Sequence, residues 1–186
     1  MKLNRSDLLR AGLSGWGIVP VEKVPFSQEF LDICRSNSCG SYNSCWACPP
    51  AMGTLEECKA RIGQYKVGLV FNHISPLEDS FDFEGMQDAA VNYRLAVDAL
   101  HELVKTEGEK VSLLANGGCK RCKTCTWPDE PCRFPEKLFP AIEGCGVYVS
   151  RLAGLAGLKY INGQNTVTYF GMLLCKEDLE ILEDEP

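Results

Sequence analysis

Histidine is almost missing from this chain. His73 and His101 are the only two in 186 residues. They lack metal-ligand spacing, which argues against an imidazole-built metal site, and no Ser-His-Asp arrangement is visible. Long apolar runs are also missing. None approaches the about 18 residues of a membrane-spanning helix, so no membrane insertion is expected. The opening "MKLNRSDLLRAGLSGWG" has no continuous apolar stretch and carries Asp7 and Arg10, so it does not read as a secretory signal. The expected location is the cytoplasm. Gly154, Gly157 and Gly163 form no phosphate-binding pattern, and no basic stripe is interleaved with aromatics. Nucleotide and nucleic-acid partners are therefore not expected. No internal repeat or low-complexity linker divides the chain, which reads as a single domain over 1–186.

Charge of one sign gathers only at the end. The net charge is −6, and six acids without a base occupy 177–186: Glu177, Asp178, Glu180, Glu183, Asp184 and Glu185. The rest of the chain is balanced. This segment is expected to be a solvated acidic tail, an acidic docking tail being the sharper reading.

What is abundant is cysteine, with 11 residues, an odd number. A chain of this size can bury a core without disulfide staples. In a reducing compartment such thiols point to metal or catalysis. Eight of them fall in two loops, 34–50 and 117–135. Cys58, Cys145 and Cys175 lie outside. Cys58 and Cys175 read as small buried hydrophobes, and Cys145 sits in a Gly144-Cys145-Gly146 turn.

Around these loops the pattern predicts an α/β or α+β domain, a small mixed sheet with flanking helices. Short helices are expected from Ser6 to Leu13 with Ser6 as cap, from Ser27 into the first cysteine loop, and from Thr54 through "LEECKARIGQY". "KVGLVFNHI" reads as a buried strand and "KVSLLA" as a second. Between them Met86, Ala90, Tyr93, Val97, Leu100 and Val104 make one apolar stripe on a helix over about 84–106. His101 is expected on the surface of that helix, and His73 as a hydrogen-bonded core residue. "PEKLFPAIEGCG" and "VYVSRLAGLAGL" are expected to be helical. "YINGQNTVTYFGMLL" reads as a hairpin or paired strands turning at Asn162-Gly163.

In the second loop, "GGCKRCKTCTWPDEPCRFP", Cys119, Cys122 and Cys125 form C-x2-C-x2-C, and Cys132 follows. Three thiolates on one tight loop can reach three corners of an iron–sulfur cubane, as in ferredoxin-type sites, whose fourth cysteine precedes a proline. Here Arg133-Phe134 intervene before Pro135, and Cys132 belongs either to this site or to the other. Lys120, Arg121, Lys123 and Arg133 are expected to lower the thiol pKa values, and Gly117 and Gly118 to offer N–H groups to cluster sulfur. Zinc is the alternative, for instance on the knuckles Cys45/Cys48 and Cys119/Cys122. The first loop, "CRSNSCGSYNSCWACPP", spaces Cys34, Cys39, Cys45 and Cys48 as C-x4-C-x5-C-x2-C. It has little apolar surface, so a bound metal would have to order it. Tyr42 and Trp46 either shield a cluster or pack against the domain.

The pairing of "CGSYNSCWACPP" with "GGCKRCKTC…PCRFP" and "AIEGCGVYV" resembles a family of small prokaryotic proteins described as predicted metal-binding proteins of unknown function. Its pattern is C-x-x-Y…W-x-C-P-P with G-G-C-x-x-C-x-x-C…C-R-x-P. Cys39, Tyr42, Trp46, Cys48, Pro49 and Pro50 fit the first half. Gly117, Gly118, Cys119, Cys122, Cys125, Cys132, Arg133 and Pro135 fit the second. The resemblance implies metal binding of iron–sulfur type in anaerobic or facultative prokaryotes, and no particular reaction. The chain departs from the pattern in the wider Cys34–Cys39 spacing and in Cys45, which the pattern does not demand. Cys45 is thus either a fourth ligand or a bystander.

Three functions follow. The first is a carrier of two [4Fe-4S] clusters, held by Cys34, Cys39, Cys45 and Cys48 and by Cys119, Cys122, Cys125 and Cys132, that exchanges electrons with a redox partner protein. The second is an iron–sulfur enzyme whose open iron activates a small sulfur-containing ligand. The third is a zinc-stabilised binding module.

Overall fold

The structure is a computed structural model and describes residues 1–183. Its centre is a four-stranded antiparallel sheet of β2 (Gly15–Pro20), β3 (Val67–Pro76), β5 (Thr166–Cys175) and β4 (Val111–Leu114), in that order across the sheet. A separate parallel pair joins β1 (Lys2–Asn4) to β6 (Glu180–Leu182). The expected mixture of helix and sheet is present, with parallel and antiparallel pairing kept in different sheets.

Both faces of the main sheet are covered, which explains the continuous apolar runs of β3 and β5. Successive side chains in a strand point to opposite faces. Leu69, Phe71, Leu113 and Leu173 pack on one side with Tyr93, Val97 and Leu100 of α4 (Phe83–Val104). Val70, Leu114, Met172 and Leu174 pack on the other with Cys58 and Ile62 of α3 (Leu55–Ile62) and Leu152 of α5 (Val149–Leu155). In α4 the apolar stripe is buried from Ala89 to Val104, while Met86 and Ala90 at its start are half-buried.

Local signals set the helix starts. Ser27 Oγ accepts from Glu29 N to open α2 (Gln28–Arg35). Thr54 and Glu57 form a reciprocal capping box at α3. Asp82 caps α4 by accepting from Gly85 N at 2.8 Å. Side-chain oxygens here satisfy N–H groups that the first helical turn leaves unpaired. The first helix, α1 (Arg5–Arg10), begins after Asn4, so Ser6 is not its cap.

Two expectations are corrected. The segment 135–146 is not a helix but two 3-10 turns, Pro135–Lys137 and Glu143–Cys145, around an extended stretch. Pro140 lacks an N–H and disfavours helix at Phe139, which precedes it. The segment 160–174 is not a hairpin. Its one strand, β5, lies between β3 and β4, with Phe71 opposite Gly171 and Leu113 opposite Leu173. The acidic end is solvated over its described part, as expected, and it is also paired with lysines at the surface. Lys110 meets Glu177 at 3.2 Å, Lys66 meets Asp178 at 2.7 Å and Lys2 meets Glu180 at 3.4 Å. The Met1 amino group donates to the Asp178 carbonyl. Asp184 and Glu185 lie outside the described residues. No helix among the described residues is long and apolar enough to cross a membrane.

Candidate metal centre

The first loop connects α2 to α3. Cys34 sits in the last turn of α2, and its carbonyl accepts from Asn37 N at 3.0 Å. Asn37, Gly40 and Asn43 take positive φ, a conformation that glycine and asparagine adopt most readily. The loop is cross-braced by its own polar groups. Asn37 Oδ1 accepts from Tyr42 N at 2.9 Å, and Pro49 O accepts from Asn43 N at 2.8 Å. These turns place Cys45 and Cys48 inside, 3% and 6% exposed, while Cys39 stays exposed and Cys34 half-buried.

The second loop leaves the end of β4 and returns at the 3-10 turn Pro135–Lys137. One extended stretch ties both loops together. Ala115, at the start of the second loop, pairs in parallel with Ala141, and Ala141 N donates to Ala47 O of the first loop at 2.8 Å. Tyr93 of α4 adds a second anchor. Its buried hydroxyl donates to Phe170 O at 2.7 Å and accepts from Asn116 N at 2.9 Å. Arg121 Nε donates to Lys137 O, and its guanidinium pairs with Asp98 of α4 and lies over Phe139.

The loops touch directly. A Cβ on Gly118 would stand 2.7 Å from Ser41 Oγ and 3.6 Å from Cys48 Sγ. Only glycine admits this approach. Trp46 Nε1 donates to Glu130 O at 3.1 Å, and Trp127 Nε1 donates to Asn43 Oδ1 at 2.9 Å. Each loop thus sends one indole into the other. Trp46 serves as a wall rather than only as packing, since it lines the pocket described next. Tyr42 borders a different groove, beside Pro49 and Pro50.

Cys119, Cys122, Cys125 and Cys132 all line one narrow pocket, closed by Trp46, Phe134 and Leu138. Cys132 is therefore placed with its own loop. In the other loop Cys48 stands against Cys45 and feels the charges of Cys39 and Cys34. Cys45 is at the junction. It accepts hydrogen bonds from the Cys48 thiol, the Cys119 and Ala47 N–H groups and Ser44, and these outweigh burial to bring its pKa down to about 5. Cys48, as the donor, is pushed far up, with burial adding. Burial raises Cys34, helped by the negative charges of Cys39 and Glu143.

Arg121 acts on Cys119 in the expected direction but does not prevail. Cys119 is raised, because burial outweighs the Arg121 N–H and guanidinium. The Arg121 guanidinium is already committed to Asp98, and that of Arg133 donates to Thr124 O. Gly117, at φ +72°, gives its N–H to the Glu143 carboxylate, which also accepts from Asn116 Nδ2 at 2.8 Å.

His73 is hydrogen-bonded to Gly12 O and Ser75 Oγ, as expected of a core residue. His101 is not on the surface. Its side chain is only 17% exposed, and its ring lies 5.3 Å from that of Phe139.

Among the described residues, no three His, Cys, Asp or Glu side chains stand close enough to hold a single metal ion. The zinc quartet Cys45, Cys48, Cys119 and Cys122 is therefore not drawn to a tetrahedral point. Instead, the four thiols of the second loop surround a pocket, and Cys45 and Cys48 of the first loop belong to a small cluster against which Cys119 and Cys125 pack. Such an all-sulfur donor set fits a soft metal or an iron–sulfur group. Cys34, Cys48 and Cys119, whose pKa values are raised, would release protons on binding it.

A model of the family "Predicted metal-binding protein (DUF2284)" matches residues 17–175. No curated protein and no solved structure matches the chain.

Proposed function

The chain belongs to the DUF2284 family of predicted metal-binding proteins, and from that premise we propose that it is an iron–sulfur protein holding two [4Fe-4S] clusters and exchanging electrons with a redox partner. The observation that carries this reading is the gathering of Cys119, Cys122, Cys125 and Cys132 around one pocket walled by Trp46. These four hold one cluster. Cys34, Cys39 and Cys48, with Cys45 beside them, hold the other. Each cluster supplies one-electron chemistry at a potential that burial and hydrogen bonds to sulfur adjust. The chain's own part is to hold the sulfurs and keep water out. Trp46, Phe134 and Leu138 screen one pocket, and the hydrogen bond from Cys119 N to Cys45 links the two thiol groups. Protein purified without oxygen is expected to be brown, with about eight irons and eight sulfides per chain for two cubanes. Stoichiometric zinc in a colourless protein would overturn the proposal.

A second reading rests on Cys45. Its sulfur is occupied by the Cys48 thiol and the Cys119 N–H. If Cys48 gives up that proton and ligates while Cys45 stays on the Cys119 N–H, then Cys34, Cys39 and Cys48 hold the first cluster as thiolates and one iron is open to a small sulfur-containing ligand, as an enzyme would need. Replacing Cys45 with Ser separates the two. Unchanged iron content supports the open site, and loss of about four irons makes Cys45 a ligand.

A further inference from the structure

Three cysteines lie outside the metal loops, and two of them meet. Cys58 is on α3, and Cys145 ends the 3-10 turn Glu143–Cys145. Both are 0% exposed. A single nitrogen of Arg61, Nη2, lies 3.1 Å from Cys58 Sγ and 3.9 Å from Cys145 Sγ, and donates to Met52 O at 3.0 Å. Arg61 is three residues after Cys58, so both project from one face of α3. Cys58 and Cys145 share one core cluster, held within reach of that single nitrogen, and the Cys58 thiol donates to Met52 O at 3.5 Å. An arginine spanning two buried thiols that meet is more than two apolar fillers require.

We propose that Cys58 and Cys145 are a redox-active dithiol, independent of the metal loops, which hydrogen peroxide oxidises reversibly to a disulfide.

The roles of the two sulfurs differ. The hydrogen bond from Cys145 and the charge of Arg61 bring Cys58 down to about 7 against burial. Cys145 is raised, as the donor of that bond and by burial. A thiolate is the nucleophile in such chemistry. The Cys58 thiolate attacks one peroxide oxygen. The O–O bond breaks, and the leaving hydroxide takes a proton and departs as water, leaving Cys58 as a sulfenic acid. Cys145 sulfur then attacks Cys58 sulfur. The S–O bond breaks, and the hydroxide leaves with the Cys145 proton as a second water. Two thiols and one peroxide become one disulfide and two waters, a route the oxidation ladder of cysteine allows. With both thiols at 0% exposure an oxidant reaches them only when α3 or the Cys145 turn opens locally, and peroxide needs a smaller opening than a protein disulfide does. The turn carrying Cys145 rests on the first metal loop, since a Cβ on Gly144 would stand 2.9 Å from Pro49 Cδ.

The test uses the full chain, with its metal content recorded. It is treated with stoichiometric peroxide, alkylated, and cut after Lys, Arg and Glu. The expected product links the peptide 58–59 to the peptide 144–151 and disappears with dithiothreitol. Arg61→Gln is expected to slow its formation about threefold to tenfold, the latter being the effect of one pKa unit on thiolate fraction. Cys175→Ser leaves the rate unchanged. Cys145→Ser is expected to leave Cys58 trapped by dimedone as the sulfenic acid. If both thiols stay alkylatable while loop cysteines oxidise, or if either links to a loop cysteine, the proposal fails. The wild-type link needs no variant to fold, and it is expected whether the loops hold iron, zinc or nothing.

Discussion

The indole of Trp46 stands edge-on to that of Trp127, with ring centroids 4.6 Å apart and planes at 83°. Since one ring belongs to each cysteine loop and each donates across to the other, this contact is where the loops support one another. A double-mutant cycle with Trp46→Ala and Trp127→Ala is expected to give a coupling of about 0.5–1.5 kcal/mol in denaturant unfolding, the range for an edge-to-face pair. Additive losses would mean that the loops are braced elsewhere.

Tyr93 connects α4, β5 and the second loop through one hydroxyl. Tyr93→Phe leaves Phe170 O and Asn116 N without their partner, at a cost of about 1–3 kcal/mol. Leu100→Ala, fully buried on the same helix, is expected to cost about 2–5 kcal/mol. The larger destabilisation should have the smaller effect on metal retention, because Leu100 does not hold the loop. A chelator challenge on both variants checks this order.

Asp98 holds Arg121, yet both side chains keep about a quarter of their surface in water, 29% and 26%. Such a pair contributes no more than about 1 kcal/mol to stability. Asp98→Asn should therefore unfold almost like the parent while losing metal from the second loop faster. Equal loss rates would show that Arg121 does not position Cys119.

At the start of α4 the N–H groups of Glu78 and Gly85 lower the Asp82 pKa. A folded carboxyl below its unfolded value stabilises above the unfolded pKa, and that help is lost as pH falls through the folded one. Asp82→Asn keeps an acceptor and does not titrate. It should flatten the fall in stability below about pH 4, where a free Asp titrates. Acid unfolding of the two proteins at matched salt reads this directly.

The sequence was most legible where structure is local. The α4 stripe, the Ser27 and Thr54 caps and the β3 run each carry their own signal within one element. The two cysteine loops were visible by spacing, and the pocket collects the four cysteines of the second. What escaped depends on distant partners. Nothing near Ala141 announces that it will bind Ala47 and Ala115, and its apolar neighbours imitate a helix. Only Pro140 spoke against one. The acids at the chain end looked unpartnered because Lys2, Lys66 and Lys110 are remote in sequence. Cys58 read as a lone core residue and Cys145 as part of a glycine turn for the same reason, although Arg61, three positions after Cys58, was a usable hint.

The place of β5 between β3 and β4 bears on the order of synthesis. A chain emerging from the ribosome presents β3, both cysteine loops and β4 before the strand that unites the sheet exists. Phe170 O, the acceptor that fixes Tyr93, arrives with that late strand. Between the addition of Cys132 and that of Cys175 the chain therefore carries eight loop cysteines with no finished platform beneath them. Metal insertion belongs to the completed chain, and the interval before it is when these thiols are most open to oxidation.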